Sequence, residues 1–343
     1  MSKPSMRQVA NLAQVSIQTV SRVINQPHLV REETRERVEA VIRAVGYTPN
    51  ATARSLRSNK SRAVGIILNG GSLFGPSSVA PILTYRIQQQ GLATLTATFF
   101  NDDVKNARVA MNDLLARNVD ALVVIAAHKW VADEIVSLAH SYPVVAVTSE
   151  ELGPDIFRVA VDQEETMRLL VEHFVALSKE RICFLAGPDN WLDAAARRDG
   201  WNRLTSEYEI QDSICEVKSF YPDEAYLAVA DYFCANQLPQ ALLCANDMLA
   251  MGAMRVCWEK GIRIPADIMV AGIDDTISAS YLTPSLTSVT QPLDEVVDCI
   301  LDLLVAALNE EPARVKLVKP ELVIRESTSV SGLPHTKTLP DLA

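Results

Sequence analysis

Residues 5–25 read SMRQVANLAQVSIQTVSRVIN, and they decide how the chain begins. Ser5 followed three places later by Gln8 is a capping-box pattern: the hydroxyl takes an orphan backbone N–H while the amide reaches back. Val9, Ala10 and Ala13 then share one helical face. Gln14 and Val15 supply a turn, and Ser16 can cap a second helix that runs to about Asn25 with Val20, Val23 and Ile24 turned inward. Further on, Val38, Val41, Ile42 and Val45 recur at helical spacing, so a third helix is expected over about Glu32 to Val45. Gly46 follows at a natural left-handed C-terminal position. A short helix, a tight turn and a second helix form the geometry that lays one helix in a major groove. The outward residues at the start of that second helix are Ile17, Gln18, Ser21 and Arg22. Glutamine can pair bidentately with adenine, arginine with guanine, and isoleucine can touch a thymine methyl. The competing reading of the same residues is a solvated face on an ordinary three-helix bundle.

Charge separates this opening from the rest. The chain of 343 residues has a net charge of −10, but residues 1–62 carry 11 Lys and Arg against 4 Asp and Glu, a local +7 against −17 for the remainder. A basic end on an acidic body implies that only the first 60 or so residues face phosphates. The length exceeds one ordinary domain, so two or three units are expected. With 48% hydrophobic and 22% charged residues, a large core can form without staples. No apolar run approaches the roughly 18 residues that span a bilayer, and the opening MSKPSMRQVANLAQ has no signal-peptide stretch. A cytoplasmic protein with no membrane partner is expected. The six cysteines (Cys183, Cys215, Cys234, Cys244, Cys257 and Cys299) form no C-x-x-C pair and read as buried thiols.

Residues 47–62, YTPNATARSLRSNKSR, contain few large apolar side chains and several basic ones, so on their own they form a loosely ordered linker. From Ala63 the pattern alternates between apolar strands and amphipathic helices. Strand candidates are 63–68, 92–97, 120–126, 143–148, 181–187, 240–245, 268–273 and 321–326, with helical stretches such as 104–117, 164–178, 223–236 and 247–260 between them. Continuous apolar strands separated by helices imply parallel sheets covered on both faces, and this length suits two α/β subdomains. The tail from Gly332 lacks periodicity.

Catalytic and cofactor motifs do not emerge. The five histidines (His28, His128, His140, His173 and His335) show no H-E-x-x-H spacing, and there is no P-loop, no strand-linked G-x-G-x-x-G and no G-x-S-x-G elbow. Gly70-Gly71-Ser72 reads as a turn. Neither an enzyme, nor a metal site, nor a cofactor is implied.

The run VANLAQVSIQTVSRVIN followed by TRERVEAVIRAVGYTPNATARSLR strongly resembles the headpiece of the lac repressor (LacI/GalR) family. The resemblance continues through FLAGP (184–188), RRDGW (197–201), ANDMLAMGAMR (245–255), GIRIPADIMVAGIDDT (261–276) and LTSVTQP (286–292), and covers roughly residues 4 to 331. It implies an all-α helix-turn-helix headpiece (1–49), a hinge helix and linker (50–62), and an α/β core resembling periplasmic binding proteins. That core would divide into two parallel-sheet subdomains, 63–161 with 292–320 and 162–291 with 321–331, ahead of a flexible tail (332–343). Gln18 and Arg22 match base-reading positions. Thr19, Ser21, Asn25, Thr34 and Tyr47 fall where phosphates are contacted. Asn50 to about Ser58 match a hinge helix that folds on DNA; Leu56 would be its minor-groove wedge, flanked by Ala53, Arg54 and Arg57.

In the core the resemblance makes Arg197, Asn246, Asp274 and Gln291 ligand-binding positions, with Leu73, Pro76, Val79 and Phe220 as an apolar wall. A guanidinium fork, two amides and a carboxylate suit ring hydroxyls. Without the family, Asn246-Asp247 would read as a helix cap and Asp274-Asp275 as a turn. Departures touch specificity. Ile17 and Phe220 replace aromatics of the family's type member, as Val161 and Leu293 do. Ser149, also a ligand-site position, stands where an aspartate there binds sugar hydroxyls. The family's C-terminal leucine heptads are not found, so a homodimer is expected. The resemblance thus implies a repressor of pseudo-palindromic double-stranded operator DNA, controlled by a small-molecule effector of sugar type. Two variants stay open: an effector that strengthens DNA binding, and control by a phosphoprotein. A transport binding protein is disfavoured by the headpiece and the lack of an export signal.

Overall fold

A computed structural model describes residues 4–47, 61–70, 74–100, 104–125 and 128–329, which fall into two units, Met1–Ser61 and Arg62–Ala343. The expected hinge, with Asn50, Ala53, Arg54, Leu56 and Arg57, lies outside the described residues, as do Leu73 and the tail 332–343.

Among the described residues the first unit has three helices: α1 (Met6–Ala13), α2 (Ile17–Asn25) and α3 (Glu32–Val45), with a 3₁₀ turn at Pro27–Leu29. Each of the first two is capped as its sequence dictates. Ser5 Oγ accepts from Gln8 N at 3.2 Å and Ser16 Oγ accepts from Thr19 N at 3.1 Å. Gln14 closes α1 in the left-handed region (φ 53°) and Gly46 closes α3 (φ 63°), where a side chain would strain the backbone. Val9, Ala10, Ala13, Val20, Val23, Val38 and Tyr47 form the core. So small an apolar core leaves little stability to spare.

The second unit is built on two six-stranded sheets. The first lobe contains β1 (Ala63–Asn69), α4 (Phe74–Gln89), β2 (Ala93–Phe99), α5 (Val104–Ala116), β3 (Ala121–Ile125), α6 (Lys129–Ala139), β4 (Val144–Val147) and β5 (Phe157–Val161). The second contains α7 (Gln163–Ala176), β6 (Arg181–Ala186), α8 (Leu192–Glu207), β7 (Gln211–Glu216), α9 (Pro222–Ala235), β8 (Ala241–Cys244), α10 (Asp247–Glu259), β9 (Met269–Asp274), a 3₁₀ turn (Ile277–Tyr281) and β10 (Thr287–Thr290). The chain then returns to the first lobe for α11 (Leu293–Leu308) and β11 (Val315–Val318), and ends in the second with β12 (Leu322–Val323). Strand orders are β11-β5-β4-β3-β1-β2 and β12-β10-β9-β8-β6-β7. All pairings are parallel except β10 with β12.

Why the strands read as unbroken apolar runs is visible in β1. Val64, Ile66 and Leu68 pack with residues of α4 and α11, while Ala63 and Ile67 pack with residues of α5 and α6 on the opposite face. A strand covered on both faces needs no polar alternation. In the second lobe Met167, Phe184, Trp201, Leu243 and Val270 belong to a single core.

Differences from the sequence reading have local causes. The expected strand 321–326 shrinks to Leu322–Val323, antiparallel to β10, because beyond it side-chain bonds replace the ladder: Arg325 N donates to Thr287 Oγ1 at 2.8 Å and Arg325 Nη1 to Leu286 O at 2.7 Å. Strands β5, β7, β10 and β11 go unmarked in the sequence; β10 and β11 have only four residues each, and β7 and β11 are partly exposed. Four cysteines are buried and Cys299 is half-buried, but Cys234 is exposed on α9 with Lys260 Nζ 3.7 Å from its sulfur, so the buried-thiol reading fails there. No helix among the described residues is long and apolar enough to cross a membrane.

Candidate functional site

In the first unit, burial of Val20 and Val23 fixes which face of α2 is left outside. Residues 17, 18, 21 and 22 recur at the three- and four-residue steps that share a helix face. Ile17 is 47% exposed, and Gln18 and Arg22 are exposed as well, with Ser21 half-buried. On α3, Arg35 pairs with Glu32 and Arg43 with Glu39, whereas no carboxylate among the described residues pairs with Arg22. Thr19 hydroxyl meets Ser16 Oγ at 2.9 Å, and Asn25 Nδ2 donates to Ser21 O at 2.8 Å, which stiffens both ends of α2. Thr34 is half-buried at the start of α3. Tyr47 differs from these: it is only 8% exposed and packs in the headpiece core, because a bundle this small needs a large ring to close it. At most the edge of that ring faces solvent.

In the second unit, two adjoining cavities of about 100 and 70 Å³ open between the lobes. Val79, Ser149, Val161 and Leu293 line the larger, and Arg197, Phe220, Asn246 and Asp274 line the smaller, with Pro76 and Gln291 in both. The sequence-predicted cleft residues within the described chain therefore converge, although they span 215 positions from Pro76 to Gln291. Asn246, Asp274 and Gln291 stand at the carboxyl ends of β8, β9 and β10, where open α/β sheets leave a crevice. Arg197 reaches in from α8. Its Nε donates to Gln163 Oε1 at 2.8 Å and its Nη1 to Ala245 O, so the buried guanidinium is held in place before any ligand arrives.

Asn246 combines two readings. Its Oδ1 accepts from Leu249 N at 2.8 Å as the cap of α10, while its Nδ2 lies 3.4 Å from Phe220 O beside the cavity. Phe220 itself sits against Gly187, where any Cβ would strike its ring at 2.4 Å. Asp274 carries unusual backbone: φ is 115° there and 46° at Asp275, both costly for residues with side chains. Strain of this kind persists only where its surroundings enforce it. Asp247 does so from below, its carboxylate accepting from Ser288 Oγ at 2.6 Å, Thr276 N at 2.7 Å and Thr276 Oγ1 at 3.0 Å. Arg325 pairs with Asp275 at 2.6 Å. Burial pushes the Asp274 carboxyl up to about 8, against the pull of Arg197, and that of Asp247 up to about 6 despite its three donors. The site can thus present either a neutral acid or a carboxylate to a polar ligand near neutral pH.

Sequence reasoning missed Trp191, Asp193 and Gln163, all of which line the larger cavity. Trp191 and Asp193 also line the smaller. The signal was their place at the start of α8, just beyond FLAGP at the end of β6. Trp191 further bridges the lobes: it forms an isolated antiparallel bridge with His128, their rings 4.5 Å apart and edge to face, and it meets Phe220 edge to face at 5.3 Å.

A small helix-turn-helix unit and a two-lobed α/β unit with a polar cleft define a ligand-responsive DNA-binding protein by class. Residues 5–50 match the family described as bacterial regulatory proteins, lacI family, and residues 171–328 match the periplasmic binding protein-like domain. The lactose operon repressor of Escherichia coli (strain K12) is 29% identical over 343 residues, 98% of this chain and 93% of the relative. The repressor PurR of Escherichia coli O1:K1 is 26% identical, over 95% of this chain and 97% of the relative. Among solved structures, the lac repressor dimer bound to operator and the anti-inducer ONPF superposes with a TM-score of 0.90 at 29% identity, covering 95% of this chain and 99% of that one. The chain thus carries a lacI-family domain at 5–50 and a periplasmic binding protein-like domain at 171–328, the two domains of such repressors.

Proposed function

We propose that this protein is a transcriptional repressor, acting in the cytoplasm as a homodimer, that grips a pseudo-palindromic operator and is controlled by a small hydroxylated effector. It is a regulator and not an enzyme, as its relatives are. Two headpieces would read successive major grooves through Ile17, Gln18, Ser21 and Arg22, with Thr19, Asn25 and Thr34 beside the phosphates. The hinge residues Asn50, Ala53, Arg54, Leu56 and Arg57 would complete the grip at the centre of the site. The observation that carries the reading is the pairing, in one chain, of an outward helix face bearing Gln18 and Arg22 with a cleft whose Arg197 and Asp274 are buried and prearranged. The effector controls DNA binding only to the extent that it prefers one of the two states.

The test is selection of binding sites from random duplex DNA, followed by titration of the winning site with and without a sugar panel. A two-fold-symmetric site released by one sugar is expected. Arg197→Ala should cut the affinity for that sugar at least tenfold and abolish release, and a variant that still responds normally would remove Arg197 from the site. A ligand that tightens binding would reverse the sign of control, and a lack of any symmetric site would end the operator reading.

A further inference from the structure

Where the chain first crosses between the lobes, Val161, Asp162 and Gln163 form part of the wall of a separate cavity of about 380 Å³. It borders the larger effector cavity at Ser149 and Gln163, but none of Arg197, Asn246, Asp274 and Gln291 lines it. Arg158, Ala160 and Leu317 come to it from the first lobe, and Ala196, Asp199 and Arg203 from the second. Strand register places the first three together. Arg158 stands opposite Val315 and Ala160 opposite Leu317 on neighbouring parallel strands, so Arg158, Ala160 and Leu317 share one face of the sheet at its edge. Leu317 is 56% exposed, which leaves that face open.

Charge in this cavity is arranged inside out. Arg158 is only 9% exposed, and its Nη1 donates to Thr148 O and Ser149 O, both at 3.3 Å. No carboxylate among the described residues pairs with it, and its Nε–Nη2 edge, the side of the fork that suits a carboxylate, takes no partner among them either. A buried cation without a counter-charge is costly, and an anionic ligand group would offset that cost. The rim shows the opposite imbalance. Glu151 and Asp199 are exposed and meet no cation among the described residues. The other charges are already engaged: Arg203 pairs with Glu164 at 2.8 Å and Glu207 at 3.3 Å, and Asp162 Oδ1 accepts from Glu165 N at 2.9 Å.

We infer that this cavity is a second ligand site, built for a short amino-carboxylate. The carboxylate sits on the open edge of Arg158, the ammonium faces Glu151 and Asp199 at the rim, and an apolar spacer lies along Ala160, Ala196 and Leu317. A multiply charged anion fits worse, because Glu151, Asp162, Glu164 and Asp199 outnumber Arg158 and Arg203. A plain amine fits worse too, since it leaves Arg158 without a counter-charge.

Ligand-observed NMR titration of the full chain with glycine, β-alanine, γ-aminobutyrate and δ-aminovalerate, beside butyrate and butylamine, tests this. A charge-assisted pair at a buried group is worth roughly tenfold in affinity, so the amino-carboxylate of best length should exceed butylamine by about that factor. It should exceed butyrate by roughly fivefold, the rim contacts being exposed. Arg158→Gln should weaken that ligand by roughly tenfold. Gln291→Ala, which alters only the effector cleft, should leave its affinity within about twofold. Asp199→Asn lies at an exposed position where folding is not at stake, and should lower the preference for the amino-carboxylate over butyrate by about twofold or more, a ratio read within one protein. Binding of no member of the series, an equal response to butyrate, an unchanged affinity in Arg158→Gln, or an unchanged preference in Asp199→Asn each overturns the inference. Loss in Gln291→Ala with Arg158→Gln unaffected would place the ligand in the effector cleft and overturns it equally.

Discussion

In the headpiece, the four outward residues come from six consecutive positions of one helix, Ile17 to Arg22, and they lie on the surface. In the core, Pro76, Ser149, Arg197, Asn246, Asp274 and Gln291 come from separate elements, and Arg197, Asn246 and Asp274 are buried. The exposed residues Ile17, Gln18 and Arg22 can change one at a time, because among the described residues they share no side-chain hydrogen bond or ion pair, whereas Ser21 is half-buried beside Asn25. The cleft cannot, since Arg197 shares partners with Gln163 and the backbone at Ala245, and Asp274 is underpinned by Asp247. Substitutions should therefore act locally in one unit and collectively in the other.

The largest expected effect tests whether the units are separable. Val20→Asp buries a charge in the headpiece core and should cost roughly 3 kcal/mol or more, enough to unfold so small a bundle. Operator affinity should drop at least a hundredfold while effector binding, measured calorimetrically, persists; joint loss would show that the contrast is false. Next comes the titration of the cleft. A carboxyl that holds its proton up to about pH 8 when folded, against an ordinary value of 3.8, favours the folded state at low pH. That contribution is lost as pH rises from about 4 to about 8 and is constant above. Asp274→Asn should flatten this fall and raise Tm at pH 8 by at least about 2 °C relative to the parent chain, read by thermal melts from pH 5 to 8.5. Parallel curves would place the buried proton elsewhere. Arg22→Ala should cost about 1–3 kcal/mol on the selected site and relax preference at one base pair, visible in competition gel shifts. The smallest effect is expected of Ser16→Ala, which removes the cap of α2: about 1 kcal/mol of headpiece stability, with base preference unchanged.

Legibility in the sequence divides along the same line. The helices of the headpiece were legible because caps, turn and apolar spacing are local signals, and α3 runs Glu32–Val45, the span its spacing indicates approximately. The longer buried strands were legible too, being unbroken runs of Val, Ile and Leu. Short strands such as Thr287–Thr290 were not, since four residues of mixed polarity acquire strand geometry only from their neighbours. Within the cleft, Arg197, Asn246, Asp274 and Gln291 came from family resemblance, while their own sequence context favoured a cap and a turn. Trp191 and Asp193 escaped both routes. Their place just beyond FLAGP at the start of α8 was the available signal, but they become neighbours of Val79 and Val161 only after two lobes have folded.

The path of the backbone between the lobes sets what can be inherited together. It crosses three times, after Val161, after Thr290 and after Val318. Neither lobe is an uninterrupted stretch, so a single recombination event within the core mixes halves that did not evolve side by side. The headpiece is one uninterrupted stretch and can be exchanged between relatives by one joint. Over evolutionary time, DNA targets should therefore be traded readily among such proteins, while ligand preference drifts by slow point substitution around Gln163 and Gln291, beside the first two crossings.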